Sequence, residues 1–345
     1  MAQITYLVGN GFDLNLGLNT KYSDFIDKYV ELPSDNELIE WFKGRIDKDK
    51  QQWSDAEIAF GSITEEFRSL DNSSESFNRC QIDFCTELAN YLKKEQERLK
   101  PDKIAQQQKH FQKVADCLVE VACGLKPEPQ KEVQERLQSV GDGYKLDFMV
   151  FNYTSTLEMI LQPLRTMLGI RVYNNSRYSN ELHRIVHVHG TVEEDMILGV
   201  NDISQIKAPE IFDEDGIDLS AMIKEETNAL CERNREREAI SLIEKSDIIY
   251  IYGMSIGETD RRWWERIIHQ MMKKPHLCVI IGAYDAPDNS LVITPYIKYK
   301  KRKQEEFLSF EETLSDEQKE ELAQRIYIDS TNKFSEIKDL VSADS

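Results

Sequence analysis

Six short apolar runs, separated by long polar stretches, limit most strongly what this chain of 345 residues can fold into. Each run is rich in β-branched or aromatic residues, which is typical of strands buried on both faces. The runs are residues 4–9, 146–152, 185–190, 247–253, 277–283 and 325–330. Helix-like stretches lie between them, so the sequence predicts an α/β fold with a doubly wound parallel sheet in one domain, 1–345.

The gap between the first two runs is too long for a single crossover. It contains amphipathic stretches, the last of which ends at Gly124 before Pro127 and Pro129, a pattern typical of a helix end. We therefore predict a large helical insertion at 22–142 within the domain. The strongly charged stretch "MIKEETNALCERNREREAISLIEKS" is predicted to be one further helix, in a charged helical segment that spans 203–243.

The composition excludes several classes of protein. No apolar run approaches the roughly 18 residues of a membrane span, and the N-terminus lacks a signal-peptide pattern, so we expect a cytoplasmic protein without a membrane partner. The formal net charge of −19 argues against nucleic acid as a partner, because affinity for it comes mainly from neutralised phosphates. The six cysteines form no C-x-x-C pair and are interpreted as reduced, mostly buried thiols.

Polar or glycine-rich residues follow four of the six predicted strands. They are Gly9 to Asp13, Asn152 to Thr154, His187 to Gly190, and Gly253 to Ser255. The carboxyl ends of parallel strands meet at one edge of a sheet, where open α/β folds bind their ligands. The sequence therefore predicts a binding site at this edge.

The first of these segments is a glycine loop. Gly9 and Gly11 allow the backbone to approach a phosphate-bearing ligand closely, and we expect the amides of Gly9 to Gly11 to hold a pyrophosphate. The dinucleotide fingerprint G-x-G-x-x-G needs a third glycine at position 14, where this chain has Leu14. The loop therefore does not indicate hydride transfer.

Several candidate residues also fit structural roles. Asn152 fits a cap of the helix that follows it, and His189 fits a buried structural histidine. His187 lies on the same face of the strand, and this spacing also fits a metal site, although no matching carboxylate or cysteine partner is evident. Glu258 and Asp260 fit acidic caps at a helix start, which we favour over a role at the mouth of a pocket.

Four motifs carry a resemblance to a known family. "GNGFDLNLGLNTKYSDF", "FNYTSTLE", "HVHG" and "GMSIGETD" occur in this order from Gly9 to Asp260, and they resemble the AbiH-type bacteriophage abortive-infection family. The glycine loop, the strand end with Asn152, the histidine–glycine pair and "YGMS" are also similar to motifs of sirtuins. The resemblance implies a sirtuin-like (Rossmann-type) NAD-binding fold that acts in defence against phage.

The resemblance also implies a chemistry. Relatives with such a fold in defence systems cleave the nicotinamide–ribose bond of NAD, so NAD is the expected substrate or ligand, and no metal is predicted. The pyridinium is already a good leaving group, so the protein needs an amide that positions ribose or water and a base near neutral pH. Asn152 and His189 are the predicted catalytic residues, and Asp13 is expected to reach the ribose hydroxyls. The family's G-H-S turn has Met254 here, and the sirtuin zinc module is missing, so deacylation is not expected.

The predicted nucleotide-binding residues lie in and around the four segments. They are Gly9, Asn10, Gly11, Asp13, Gly17, Tyr153, Thr154, His187, Gly190, Gly253, Ser255 and Glu258. A phage-derived trigger and a homo-oligomer are left open as partners. Two other functions also stay open: a nucleotide-binding sensor without turnover, and a nuclease, for which only "GETD" and "DEDG" at 213–216 offer acids for a metal.

Overall fold

The six apolar runs form one parallel sheet. A computed structural model of the chain describes residues 1–100, 108–140, 143–167, 170–173, 176–212, 217–231, 234–283, 285–287 and 293–341. The strands are β1 (Ala2–Val8), β2 (Tyr144–Val150), β3 (Ile170–Tyr173), β4 (Ser176–Ser179), β5 (Glu181–His187), β6 (Ile248–Tyr252), β7 (Cys278–Gly282) and β8 (Ile326–Asp329). β3 and β4 form a separate antiparallel hairpin, and the other six form the sheet. The prediction of an α/β fold with a parallel sheet is confirmed.

The order of the strands reverses in the middle of the sheet. Neighbouring strands run β5-β2-β1-β6-β7-β8, and every pair is parallel. The chain moves outward from β1 through β2 to β5, and then crosses to β6 on the other side of β1. The strand ends are level, since Val8 pairs with both Val150 and Tyr252, and Val150 pairs with His187. A crevice outside the carboxyl ends at such a switch point is the usual ligand site of open α/β sheets.

Helices connect the strands and cover the sheet. They are α1 (Gly11–Asn15), α2 (Tyr22–Tyr29), α3 (Glu37–Lys48), α4 (Ala56–Phe67), α5 (Ser73–Gln96), α6 (Gln108–Val119), α7 (Pro127–Val140), α8 (Thr156–Met167), α9 (Ile217–Met222), α10 (Lys224–Leu230), α11 (Arg235–Lys245), α12 (Arg261–Lys273), α13 (Thr294–Leu308) and α14 (Asp316–Ala323). Within the described ranges, no helix is long and apolar enough to cross a membrane.

Alternating residues of β1 face opposite layers of helices. Tyr6 packs on one face, where its ring lies 5.2 Å from those of Phe148 and Tyr250, in a core shared with α6, α7 and α8. Leu7 packs on the other face, in a core that includes Trp264 of α12. β1, β6, β7 and β8 are buried at nearly every position and read as continuous apolar runs, whereas the edge strand β5 alternates buried with partly exposed residues.

The segment 22–142 divides between two cores. Helices α2 to α5 pack with the stretch 192–223 in a third hydrophobic cluster, rich in aromatic rings such as those of Phe60 and Phe84, which lie 4.9 Å apart. Helices α6 and α7 pack on the sheet instead, where Phe111 is fully buried. Among the described residues of the segment, helices α2 to α5 therefore form a layer beyond the sheet.

The charged stretch predicted as one helix is divided between α10 and α11. Lys224 holds α10 inward through an ion pair with Glu57, and its N–H donates to the Val200 carbonyl at 2.9 Å. Leu242 anchors α11 on the sheet. One straight helix cannot make both sets of contacts, so the prediction of a continuous helix is wrong because tertiary packing overrides the helical pattern.

Candidate functional site

A polar cleft of about 380 Å³ opens at the carboxyl edge of the sheet. It lies outside the ends of β1, β2 and β6, where the strand order reverses. Nine of the predicted site residues line it: Gly9, Asn10, Asp13, Asn152, Tyr153, Thr154, His189, Gly253 and Ser255. The other five do not: Gly11, Gly17, His187, Gly190 and Glu258.

Gly9 and Gly11 let two loops pack against each other. The Gly9 N–H donates to the Tyr252 carbonyl at 3.0 Å, and the Gly11 N–H donates to the Gly253 carbonyl at 2.8 Å. A Cβ at Gly11 would lie 2.5 Å from the Gly253 Cα, so a larger residue would separate the loops. These two N–H groups are therefore not available to a pyrophosphate, which corrects the expected role of the glycine loop.

Gly190 and Gly17 shape turns beside the cleft. Gly190 has a φ of +73°, and a Cβ there would lie 1.9 Å from the Asp195 carbonyl oxygen. Gly17 follows α1 with a φ of +87°, a left-handed conformation typical of a helix end. Both glycines fix the path of the backbone and lie outside the lining of the cleft.

Asn10 fixes the rim of the cleft. Its Nδ2 donates to the Thr20 carbonyl at 3.0 Å, and its Oδ1 accepts from the Thr20 hydroxyl at 2.6 Å. The adjacent Asn19 is held from α5, because the Tyr91 hydroxyl donates to the Asn19 carbonyl at 2.6 Å. The amide of Asn10 thus joins the glycine loop to the helical layer.

Asp13 is a buried carboxyl group in the lining of the cleft, with 1% of its surface exposed. Thr154 Oγ1 donates to Asp13 Oδ2 at 2.6 Å, and Thr156 Oγ1 donates to Oδ1. Burial raises the pKa of Asp13 to about 6, and hydrogen bonds from both threonines and from Asn152 oppose that rise. The charge of Asp13 therefore changes close to neutral pH.

Asn152 brings an unpartnered amide oxygen to the cleft. Its side chain is buried, and Oδ1 has no hydrogen-bond partner. The interpretation of Asn152 as a helix cap is wrong, because a capping oxygen accepts a backbone N–H. His187 fixes the backbone at this point: its Nδ1 donates to the Asn152 carbonyl at 3.1 Å, and its Nε2 lies 2.5 Å from Glu158 Oε1.

His189 is buried in the wall of the cleft, with 6% of its surface exposed. Neither ring nitrogen has a hydrogen-bond partner, and Nε2 lies 4.0 Å from Asp260 Oδ1. Burial lowers the pKa of His189 to about 3, an effect that the charge of Lys224 reinforces and that of Glu57 opposes. The ring is therefore neutral at pH 7 and a weaker base than the ordinary histidine pKa of about 6.5 suggests.

The helical layer contributes a buried ion pair that the sequence does not predict. Glu57 of α4 lines the cleft, its Oε2 lies 2.5 Å from Lys224 Nζ, and its Oε1 accepts from the Tyr153 hydroxyl at 3.2 Å. Burial raises the pKa of Glu57, against the charge of Lys224. No local signal reveals this pair, because its members lie far apart in the chain and meet only where the helical layer packs on the segment after β5.

Glu258 and Asp260 face different surroundings. The Glu258 side chain is 61% exposed, and its Oε2 lies 3.5 Å from Arg261 Nη1. The Asp260 side chain is 19% exposed, lines the cleft and makes no capping hydrogen bond, so its interpretation as a cap is wrong. Burial raises the pKa of Asp260 to about 6, against the charge of Lys224. The structure therefore brings Asp260, and not Glu258, to the cleft.

The residues that a metal would need are not assembled in the described ranges, where no group of three or more His, Cys, Asp or Glu side chains is placed to hold an ion. The acidic stretch 213–216 lies outside the described residues. Of the acids in "GETD", Asp260 lines the cleft and Glu258 does not.

The geometry first defines a class: a parallel α/β protein with a polar, ligand-sized cleft at the switch point of its sheet. The chain belongs to the bacteriophage abortive infection AbiH family, whose model matches residues 5–281. This match includes the cleft and the helical layer beside it. No curated protein and no solved structure matches the chain. The protein is therefore a bacteriophage abortive-infection protein, as the four sequence motifs predict.

Proposed function

We propose that this abortive-infection protein has a sirtuin-like nucleotide site and hydrolyses the nicotinamide–ribose bond of NAD or a related nucleotide. The observation that carries the proposal is a set of three buried polar atoms without partners, namely Asn152 Oδ1 and the two ring nitrogens of His189, at one cleft. Leaving a buried polar group unpaired costs about 1–3 kcal/mol. Such groups are retained where a ligand or water completes their hydrogen bonds.

The proposed reaction needs little acid catalysis. The bond between ribose C1′ and the pyridinium nitrogen breaks, and its electron pair moves to nitrogen, which releases neutral nicotinamide. Water adds to C1′ of the ribosyl cation and loses one proton. NAD and water thus give ADP-ribose, nicotinamide and a proton. An oxocarbenium-like transition state of this kind gains from groups that orient hydroxyls and water.

Asn152 and His189 supply these orienting contacts in the proposal. Asn152 Oδ1 accepts a hydrogen bond from a ribose hydroxyl or from the attacking water. The neutral His189 ring offers one donor and one acceptor nitrogen. Asp260 Oδ1 lies 4.0 Å from His189 Nε2, a separation that one water can bridge, and its pKa of about 6 suits a group that accepts the released proton.

The charges of the cleft favour one orientation of the nucleotide. Four acidic side chains line it, namely Asp13, Asp55, Glu57 and Asp260. Among the described lining residues, Lys21 on the exposed rim is the one lysine or arginine. We therefore orient NAD with its cationic pyridinium toward the four acidic side chains and its pyrophosphate toward Lys21. This orientation does not use the N–H groups of Gly9 and Gly11, which are already occupied.

The test is to incubate the purified full chain with NAD, NADP and NADH and to follow released nicotinamide by chromatography. NAD or NADP should be cleaved, whereas NADH should not, because its dihydronicotinamide carries no positive charge to favour departure. Parallel reactions receive extract of phage-infected cells as a source of trigger. NAD and NADP that stay intact in both sets of reactions contradict the proposed hydrolysis.

A second candidate is a nucleotide sensor without turnover. The lowered pKa of His189 favours it, because a base with a pKa of about 3 abstracts protons poorly at pH 7. Met254, which lines the cleft where the family's turn has histidine, adds no titratable group. Calorimetry distinguishes the two: NAD that binds without any release of nicotinamide, with or without infected extract, supports the sensor.

A further inference from the structure

Two partly exposed thiols lie next to each other at the end of α6. Cys117 is in the last turn of the helix and Cys123 is in the turn that follows, close enough for each thiol to shift the pKa of the other. The expectation of mostly buried thiols is wrong, since only Cys80 and Cys278 are buried. Solvent therefore reaches the Cys117–Cys123 pair in the folded chain.

A buried lysine faces one of these thiols. Lys333 Nζ lies 3.1 Å from Cys123 Sγ and 3.3 Å from Asp329 Oδ2, and the lysine side chain has no exposed surface. Asp329 also accepts hydrogen bonds from the Tyr250 hydroxyl at 3.0 Å and from the Thr331 N–H at 2.8 Å. An ammonium removed from water needs negative partners, so Cys123 lies where a thiolate is favoured.

The neighbours of Cys123 make the two thiols of the pair differ in pKa. The hydrogen bond from Cys117 and the charge of Lys333 lower the pKa of Cys123 to about 6, against the opposing effect of burial. The carboxylate of Asp329 also opposes that fall. The pKa of Cys117 is raised, because its hydrogen is held by Cys123 and burial disfavours its anion. One sulfur is therefore a nucleophile and the other a neighbouring thiol.

We propose that Cys117 and Cys123 are a peroxide-reactive pair that closes to a disulfide, a modification site independent of the nucleotide cleft. The Cys123 thiolate attacks an oxygen of hydrogen peroxide, the O–O bond breaks, and hydroxide leaves behind a sulfenic acid. Cys117 then attacks this sulfur, the S–O bond breaks, and the thiol proton leaves with the hydroxyl as water. Each sulfur loses one electron, and the peroxide gains both.

Closure requires the two Sγ atoms to approach to about 2.05 Å. Cys123 lies in a turn rather than in a helix, so its backbone can adjust without breaking α6. Cys231, the exposed cysteine, provides an internal comparison, because it is more accessible than either member of the pair.

The experiment treats the reduced full chain with dilute hydrogen peroxide, blocks free thiols with iodoacetamide and maps tryptic peptides by mass spectrometry. Both thiols fall in one peptide, 114–131, because trypsin does not cleave between Lys126 and Pro127. This peptide should lose two hydrogen atoms and resist alkylation, while Cys231 remains alkylated. Without peroxide, iodoacetamide at pH 6 should label Cys123 about tenfold faster than Cys231, because its larger thiolate fraction outweighs its weaker nucleophilicity.

Variants assign the two roles. Cys117→Ser should leave a sulfenic acid on Cys123 that dimedone traps, Cys123→Ser should abolish the rapid reaction, and Cys231→Ser should change neither. Lys333→Met should slow labelling of Cys123 several-fold; if that variant does not fold, the labelling order of the wild-type chain still decides. Oxidation of Cys231 before the pair, or a peptide 114–131 that keeps both thiols free, overturns the proposal.

Discussion

Buried polar side chains differ in their hydrogen bonding between Asp147, toward the amino edge of the sheet, and the cleft at the carboxyl edge. Toward the amino edge, Asp147 is fully buried, and both of its carboxylate oxygens have partners: Gln3 Nε2 donates to Oδ2 at 2.7 Å, and His183 Nδ1 lies 2.8 Å from Oδ1. At the carboxyl edge, Asn152 Oδ1 and both ring nitrogens of His189 have no partner. Both oxygens of Asp147 are therefore paired, whereas these three atoms of the cleft are not; toward the amino edge, Asn180 Nδ2 is also without a partner.

This difference shows which signal marks a functional site. Burial raises the pKa of Asp147 as it raises the pKa of Asp13, so a shifted pKa accompanies a structural network as well as a cleft. An unpaired buried polar atom lowers stability unless a ligand completes it. Unpaired buried atoms such as Asn180 Nδ2 also occur elsewhere, so the basis for the proposed ligand site is that three of them lie together at one cleft.

The largest expected effect is on catalytic activity, which should depend on residues of the carboxyl edge and not on those of the amino edge. Asn152→Ala and His189→Ala should each slow nicotinamide release by at least about 100-fold, the size of a lost acid–base or orienting contact. Both variants should stay folded, because each removes buried atoms that lack partners; Asn152→Ala also removes the hydrogen bond from Asn152 to Asp13, a loss of about 1 kcal/mol. Initial rates with NAD measure the activity, circular dichroism measures the fold, and protection against phage should disappear in parallel.

Two controls sharpen this result. Asp147→Asn changes a buried carboxyl group at the other edge and should keep turnover. His187→Ala removes the contact to the Asn152 carbonyl and should mainly weaken stability or binding. Turnover that survives His189→Ala with wild-type affinity for NAD contradicts the role assigned to His189.

The second effect is on acid stability. The pKa of His189 is lowered to about 3 in the folded state and is about 6.5 in the unfolded chain, so below pH 6.5 the unfolded state binds one more proton. Stability from this group is present above pH 6.5 and is lost as the pH falls, by about 3 kcal/mol between pH 7 and pH 4. The raised pKa values of Asp13 and Asp260 act in the opposite direction.

A variant isolates the histidine from these carboxyl groups. Urea unfolding of the wild type and of His189→Gln at pH 7 and pH 4 gives four free energies of unfolding. The variant should lose about 3 kcal/mol less than the wild type on acidification. Equal losses in the two proteins contradict a buried, neutral His189.

The third effect is a loss of stability when Asp147, toward the amino edge, is replaced. Asp147→Ala leaves Gln3 Nε2 and His183 Nδ1 without their carboxylate partner and should lower the free energy of unfolding by about 2 kcal/mol. Urea unfolding at pH 7 measures it. A loss of NAD turnover at full stability would mean that the two edges are not separate in function.

The sequence predicts the sheet well because most of its strands are buried on both faces and therefore read as uninterrupted apolar runs. At the edge strand β5, which is partly exposed, it finds only the end, from residue 185 onward. It also places Asn152 and His189 at one edge, since both follow such runs. The role of the glycines is not readable in the same way. A glycine needed for a ligand and a glycine needed for a second loop look alike, and only the fold shows that Gly11 packs on Gly253.

The sequence does not predict the acidic part of the cleft, for a different reason. Glu57 and Lys224 form their ion pair between the helical layer and a segment that follows β5. Such a contact depends on how the layers pack, and two residues 167 positions apart in the chain share no local signal. The burial that raises the pKa of Asp260 likewise comes from the fold rather than from its neighbours in the chain.

The smallest expected effect tests whether the cleft ends between Glu258 and Asp260. The Glu258 side chain is 61% exposed and meets Arg261 at 3.5 Å, and exposed pairs of this kind contribute about 0–1 kcal/mol. Glu258→Gln should therefore leave the urea midpoint and the rate of nicotinamide release nearly unchanged. Asp260→Asn should slow release roughly tenfold or more, because Asn cannot accept the proton. If Glu258→Gln has the larger effect on turnover, the nucleotide extends beyond the described lining of the cleft, and Asp260 is not the proton acceptor.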